Sequence, residues 1–223
     1  MKILLLHALP LDERMWQPQR DALAGHEVAT PRLYRRGSSM DGWADSLLDE
    51  NGGELLLVGA SMGGYCALSM ARRAPDRVRA VLLAGSRAEA DSAERRAGRA
   101  ETIELIRQDG AEGLWAMMRP KLFGPQAPGA AVDRARELAL EQDPEDLEAA
   151  VEAIRDRSDQ SQTAHDLGER LLLTLGDGDP FVAVDEVPPS IPTHVFPDTG
   201  HLPSLERPEE FDRVLRAFVA RWT

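Results

Sequence analysis

The chain has 223 residues, with 26 Lys and Arg against 38 Asp and Glu, so its formal net charge is −12 at pH 7. The length predicts one domain, or one domain with an insertion, and the charge disfavours nucleic acid and anionic membranes as partners. The single cysteine, Cys66, excludes an internal disulfide. No stretch has the pattern of a signal peptide or of a membrane span, so we expect a cytoplasmic protein.

Short apolar runs alternate with helical patterns along most of the chain. The apolar runs predict six strands, at residues 3–6, 28–30, 55–58, 78–84, 171–175 and 193–196. The helical patterns of this alternation lie at residues 17–23, 39–50, 62–73 and 208–222. Strands that alternate with helices predict an α/β fold with a doubly wound parallel sheet.

The interval from residue 86 to 168 breaks this alternation. It has no strand pattern, and its helical patterns lie at residues 91–107, 112–118, 130–141 and 144–157. We interpret the interval as an all-helical cap over the carboxyl ends of the strands, where ligands bind in open α/β folds. The prediction is therefore one domain over residues 1–223, with a cap insertion at about 86–168.

The predicted third strand ends in a G-x-S-x-G pattern that runs from Gly59 to Gly63, and a predicted helix follows at once. Strand, sharp turn and helix form the context of a nucleophile elbow. A serine on such a turn has strained backbone, and the positions two before and two after it must lack a Cβ to avoid collision. Ser61 is therefore the candidate nucleophile. The N–H of Met62, at the helix start, is the first candidate donor to an oxyanion.

A serine nucleophile needs a base, and His201 is the best placed of the five histidines. It lies in an Asp-Thr-Gly-His loop between the last strand and the last helix. The base needs a carboxylate to orient it, and the Gly-Asp-Gly-Asp-Pro loop after the fifth strand offers two. We choose Asp179, with Asp177 as the alternative. The chain order Ser61, Asp179, His201 is more specific than any single motif.

The second oxyanion donor should come from the loop after the first strand. Pro10 has no N–H and is excluded. Leu9 is the first choice, with Ala8 and Leu11 as alternatives. His7, at the end of the first strand, is expected to order this loop by hydrogen bonding rather than to act as a base.

These residues resemble the α/β-hydrolase superfamily, and the likeness covers nearly the whole chain. The His-Ala-Leu-Pro segment, with Met15-Trp16 downstream, resembles the oxyanion loop of the family, and the G-x-S-x-G segment resembles its elbow. The loops around Asp179 and His201 resemble its acid and base loops. Residues 95–119 and 150–162 are similar to the 3-oxoadipate enol-lactonase-like branch, close to small esterases. The resemblance implies that the Leu9 N–H completes the oxyanion hole.

Two departures from the family pattern carry structural expectations. Ala8 stands where the family usually has glycine, and alanine would be strained there if the position needs a positive φ. The family also usually opens with two more strands, whereas Ile3 begins the first strand here almost at once. We therefore expect a shortened, six-stranded α/β-hydrolase sheet in the order 2-1-3-4-5-6, with the Val28 strand at one edge.

Together the residues predict a carboxylesterase-type serine hydrolase that cleaves a small carboxylic ester or lactone through an acyl-enzyme on Ser61. The chemistry requires no metal or cofactor, and the expected partners are the substrate and water. Two alternatives stay open. One is a C–C hydrolase or lyase with the same triad, and the other is a hydrolase-fold receptor or signalling protein with little turnover. The resemblance implies that epoxide hydrolases and haloalkane dehalogenases use aspartate at position 61, which disfavours those chemistries.

Two groups of cap residues have both a functional and a structural interpretation. One is basic and consists of Arg95, Arg96 and Arg99. It is either a solvated helix face or a patch that attracts a substrate carboxylate. The other is apolar and consists of Leu114, Trp115, Met117 and Met118. It either lines an acyl pocket or packs the cap onto the core.

Overall fold

A computed structural model describes all 223 residues. The six strands are β1 (Lys2–Leu6), β2 (Glu27–Ala29), β3 (Leu55–Ala60), β4 (Val78–Ala84), β5 (Leu171–Gly176) and β6 (Thr193–Phe196). They form one sheet in the order β2-β1-β3-β4-β5-β6, and every neighbouring pair is parallel. The predicted fold class, strand number and strand order are confirmed, including the position of β2 at one edge.

Nine helices accompany the sheet. They are α1 (Gln17–Ala22), α2 (Met40–Glu50), α3 (Met62–Arg73), α4 (Ala93–Leu122), α5 (Gly129–Leu140), α6 (Pro144–Arg155), α7 (Ser161–Leu167), α8 (Pro203–Glu206) and α9 (Pro208–Trp222). Short 3₁₀ helices lie at Glu13–Trp16, Gly168–Arg170 and Val184–Glu186. No helix combines the length and the apolar character needed to cross a bilayer. The short helix α8 had no counterpart in the sequence patterns, because one turn is too short to show a period.

The centre of the molecule is the pair formed by β3 and α3. All six residues of β3 are buried, and α3 is buried from Met62 to Ala71. A parallel sheet is covered on both faces by helices, so its central strands are continuously apolar instead of alternating. The 61 buried apolar residues form a single cluster, so the sheet and its helices share one core.

Helices α4 to α7 lie between β4 and β5 in the chain. Helix α4 is interrupted at Gly110, whose φ of 63° and ψ of −151° are not helical, so it consists of two segments. These segments correspond to the two helical patterns predicted before and after residue 110. Helix α4 packs on α5 and α6, and α7 packs on α3. The interpretation of residues 86–168 as a cap stays a prediction.

Candidate active site

Ser61 occupies a strained turn between β3 and α3, with φ 48° and ψ −111°. A Cβ on Gly59 would overlap the backbone of Gly63, and a Cβ on Gly63 would overlap the carbonyl of Leu6 at the end of β1. The turn can therefore pass this close to its neighbours only with glycine at both positions. The Ser61 N–H donates to the Ala84 carbonyl at 2.8 Å, which ties the turn to β4.

The imidazole of His201 contacts the carboxylate of Asp179, with Nδ1 and Oδ2 2.8 Å apart. Their side chains are 3% and 0% exposed, so this contact is shielded from water. A carboxylate only accepts hydrogen bonds, so Nδ1 carries the proton, and in the neutral tautomer Nε2 is then an acceptor. The other Asp179 oxygen accepts the N–H groups of Phe181 at 2.8 Å and Val182 at 3.2 Å, which fix the carboxylate in place.

Asp177, the alternative acid, is exposed, and its carboxylate accepts the N–H of Thr199 at 3.3 Å. It therefore supports the loop that precedes His201 without contacting the ring. Of the two aspartates, the structure places Asp179 against the imidazole.

Ser61 and His201 line one cavity with a volume of about 280 Å³. Leu9 lines the same cavity. In this structure no direct hydrogen bond joins the Ser61 hydroxyl to the imidazole. The structure thus places Ser61, after β3, and His201, after β6, on the wall of one cavity, with Asp179, after β5, against the imidazole.

The loop after β1 contains the candidates for the second oxyanion donor. The Leu9 N–H has no acceptor within the protein, whereas the Ala8 N–H donates to the Met15 sulfur at 3.3 Å. Leu11 is fully buried and does not line the cavity. Ala8 does not have a positive φ, so the strain considered for alanine at this position does not arise. The bond between Leu9 and Pro10 is cis.

His7 is fully buried beside this loop. Its Nε2 accepts the N–H of Leu33 at 2.9 Å, and its Nδ1 lies 3.2 Å from the Ala8 carbonyl. Burial lowers the pKa of His7 to about 4, so the ring is neutral at physiological pH. A neutral ring that bridges two backbone segments fits the loop-ordering role expected for it.

Residues 3–214 match the alpha/beta hydrolase family. The chain belongs to this family. The pimeloyl-[acyl-carrier protein] methyl ester esterase of Aromatoleum aromaticum is 30% identical to it, over 93% of this chain and 94% of that protein. These findings, with the structural neighbours below, confirm the expected resemblance and make the chain a hydrolase of the carboxylic-ester class.

Two solved structures illustrate the likeness of this hydrolase to known folds. An esterase from Thermogutta terrifontis, described with malate bound, superposes with a TM-score of 0.89 at 29% identity, over 100% of this chain and 91% of that chain. The enol-lactonase from Burkholderia xenovorans superposes with a TM-score of 0.82 at 23% identity, over 98% and 91% of the two chains. At 23% identity, the likeness to the enol-lactonase shows a shared fold and nothing more.

Two polar side chains near the hydrolase's Ser61 and His201 were not found from the sequence. Ser86 donates to the Ser61 carbonyl at 2.9 Å, which supports the strained turn. Glu206 is buried, and its carboxylate accepts backbone N–H groups from the loop of His201. Burial raises the pKa of Glu206 above its ordinary value. Neither belongs to a motif, although Glu206 in the segment Leu-Pro-Ser-Leu-Glu is an acid within an otherwise largely apolar stretch.

The lining of the cavity has more positive than negative charge. Four basic side chains line it, against the single carboxylate of Asp91, and they are Arg87, Arg95, Arg99 and Lys121. Of the basic group considered from the sequence, Arg96 lies elsewhere and pairs with Asp156 at 2.8 Å.

The apolar group considered from the sequence divides between the two roles considered for it. Met117 and Met118 line the cavity, whereas Leu114 and Trp115 are buried in the core and do not. No group of three or more His, Cys, Asp or Glu side chains is arranged to hold a metal ion.

Proposed function

We propose that this hydrolase cleaves a small carboxylic ester or lactone through an acyl-enzyme on Ser61, with His201 as base and Asp179 as the orienting carboxylate. The observation that carries the proposal is the buried contact of 2.8 Å between His201 and Asp179 at the wall of the cavity that also contains Ser61. The helices between residues 86 and 168 act in this proposal as the cap that covers the cavity.

In the first step, the Ser61 Oγ attacks the carbonyl carbon of the ester while its proton passes to Nε2 of His201. Asp179 holds the proton on Nδ1 and stabilises the imidazolium that forms. When the bond from carbon to the alcohol oxygen breaks, the proton on Nε2 goes to the leaving alcohol. The product is an acyl group bonded to Oγ, and the imidazole is neutral again.

The negative charge of the tetrahedral intermediate needs donors that are already in place. The Met62 N–H lies at the start of α3, and the Leu9 N–H has no acceptor within the protein. Each such donor contributes about 3 kcal/mol to the stabilisation of the intermediate.

In the second step, His201 takes a proton from water, and the resulting hydroxyl attacks the acyl carbon. The proton on Nε2 then returns to Oγ as the bond between carbon and Oγ breaks, which releases the acid. A lactone follows the same steps, but its alcohol and acid remain in one product. The relatives named as a methyl ester esterase and an enol-lactonase support a panel that contains both substrate types.

The test is hydrolysis of p-nitrophenyl esters of graded chain length, with lactones measured alongside. We expect many turnovers, and we expect Ser61→Ala to lower kcat by a factor of about 10³ or more. The matched control is Ser38→Ala, at an exposed serine, which should leave kcat within twofold. Mass spectrometry of the quenched enzyme should find one acyl group on the peptide that contains Ser61.

Two results would contradict this proposal. The first is a Ser61→Ala protein that hydrolyses activated esters as fast as the parent. The second is a single slow turnover accompanied by a shift in melting temperature that depends on the ligand, which would favour a receptor.

A further inference from the structure

A buried ionic cluster lies beside the cavity. The carboxylate of Asp91, with 1% of its side chain exposed, is 2.8 Å from a terminal nitrogen of Arg157 and 3.1 Å from Nε of Arg99. Two guanidinium groups therefore share one carboxylate, and one positive charge of the cluster is left without a partner. A surplus charge in a half-buried site is screened less than a surface charge, so it attracts an anion more strongly.

Arg99 is the basic member of this cluster that lines the cavity, together with Asp91. The Nε–H of Arg99 donates to the Asp91 carboxylate, and the two terminal nitrogens of Arg99 make no hydrogen bond within the protein. Its side chain is 23% exposed. The guanidinium is thus anchored at one edge and offers free N–H donors at the other, the geometry with which arginine binds a carboxylate through two parallel hydrogen bonds.

Two more cations without partners lie on the same wall. Arg95 is one helical turn before Arg99, on the same face of α4, and Lys121 comes from the end of that helix. Both are exposed, and neither forms an ion pair. Arg87 differs, because it pairs with Glu186 at 2.8 Å and donates to the Phe181 carbonyl.

The contrast with the rest of the chain makes this local surplus informative. The protein carries a net charge of −12, and most of its arginines have carboxylate partners. The surplus positive charge of the cluster, with the unpaired Arg95 and Lys121, opposes that background around one cavity. Like charges that lie close together repel one another and destabilise the folded protein, and a bound anion between them removes that repulsion.

We propose that Arg99, together with Arg95 and Lys121, forms an anion subsite that binds a carboxylate on the ester substrate. The enzyme then selects half-esters of short dicarboxylic acids, with the free carboxylate on the cap side and the ester carbonyl at Ser61. The inference rests on the proposed function for the position of the ester. The cavity volume of about 280 Å³ suits a short chain.

The test compares two p-nitrophenyl esters of equal carbon count, the neutral valerate and the anionic hydrogen glutarate. We expect kcat/KM of the parent enzyme to be at least tenfold higher for the glutarate. We expect Arg99→Gln, Arg95→Gln and Lys121→Gln each to lower the ratio of the two kcat/KM values about five- to tenfold. The preference for the glutarate should also fall as the salt concentration rises.

Arg96→Gln is the matched control. It removes the same charge from the neighbouring position of α4, but Arg96 pairs with Asp156 and does not line the cavity. We expect this substitution to change kcat/KM by less than twofold for either ester. The melting temperature of each variant shows whether it is folded.

A binding measurement separates this inference from the proposed function. Calorimetry with the Ser61→Ala protein should detect binding of monomethyl glutarate but not of methyl valerate. The double variant that also carries Arg99→Gln should bind neither. Hydrolysis of both p-nitrophenyl esters without a charge preference overturns the anion subsite alone. Binding of the glutarate by a protein that hydrolyses neither ester supports the subsite and overturns the proposed function. If all three variants change kcat/KM equally for both esters, the result contradicts the subsite.

Discussion

Both carboxylate oxygens of Glu206 accept the N–H of Gly200, at 3.0 and 3.1 Å, one residue before the imidazole of His201. The same carboxylate accepts the N–H of Gly124 at 2.8 Å, just after the end of α4. The N–H of His201 itself donates to the Leu122 carbonyl at 3.1 Å. The loop of the proposed base and the end of α4 are therefore fastened to each other.

Glu206→Gln should weaken this connection. An amide presents one N–H₂ group where the carboxylate presents an acceptor, so at least one backbone N–H loses its partner in a buried place. We expect the free energy of unfolding to fall by about 1–3 kcal/mol and kcat to fall more than KM rises, because the position of His201 becomes less defined. Urea unfolding and ester kinetics measure the two effects. Glu209→Gln, at an exposed position of α9, is the control, and equal effects of the two variants would argue against the connection.

Asp179→Asn and Asp177→Asn form a matched pair. The first replaces the carboxylate against the imidazole, and an amide N–H₂ at that point favours the wrong tautomer of His201. We expect it to lower kcat by about 10³–10⁴-fold, since loss of the orienting carboxylate has that effect in a catalytic triad. The second changes an exposed side chain that bonds only to the backbone of Thr199, and it should lower kcat less than threefold. The reverse ranking would move the role of acid to Asp177.

Gly63→Ala should be strongly destabilising. Its Cβ would overlap the carbonyl of Leu6, and backbone at the centre of the sheet cannot move aside cheaply. We expect a loss of about 3 kcal/mol or more in the free energy of unfolding, at the upper end of overpacking costs. Gly52→Ala is the control, because nothing lies within 4 Å of its Cβ and its φ is not positive. Urea unfolding should find the control unchanged or slightly more stable, and a tolerated Gly63→Ala would contradict the close approach.

His7 should make the protein less stable as the pH falls. Burial lowers its pKa from 6.5 to about 4, so over this range the unfolded chain takes up a proton that the folded chain does not. Its contribution to the free energy of unfolding should fall by about 2 kcal/mol between pH 7 and pH 5. Glu206 acts in the opposite sense, since burial raises its pKa and its protonation favours the folded state.

The measurement for His7 is urea unfolding at pH 7, 6 and 5 for the parent and for His7→Gln. The variant cannot titrate at this position, so the free energy of unfolding should depend less steeply on pH than in the parent. Comparison of slopes cancels the contribution of Glu206, which is present in both proteins. Identical slopes would show that His7 takes up its proton equally in the folded and unfolded states.

The sequence alone determined the architecture and most of the candidate site. Continuous apolar runs identified the buried parallel strands, because a strand covered on both faces has no polar side to show. Gly59 and Gly63 around Ser61 identified the elbow, because only glycine permits the close approach of the backbone found there. The order of the loops along the chain placed His201 and the two aspartates at one edge of the sheet.

Only the tertiary structure decided between partners that are distant along the chain. It placed Asp179 rather than Asp177 against His201, and it showed that Glu206 holds the loop of His201 to the end of α4. It also separated Arg99, which lines the cavity beside Asp91, from Arg96, which does not. Local patterns report which face of a helix or strand is apolar, but the pairing of polar groups depends on how those elements pack. For that reason the charge around the cavity could be read only from the folded chain.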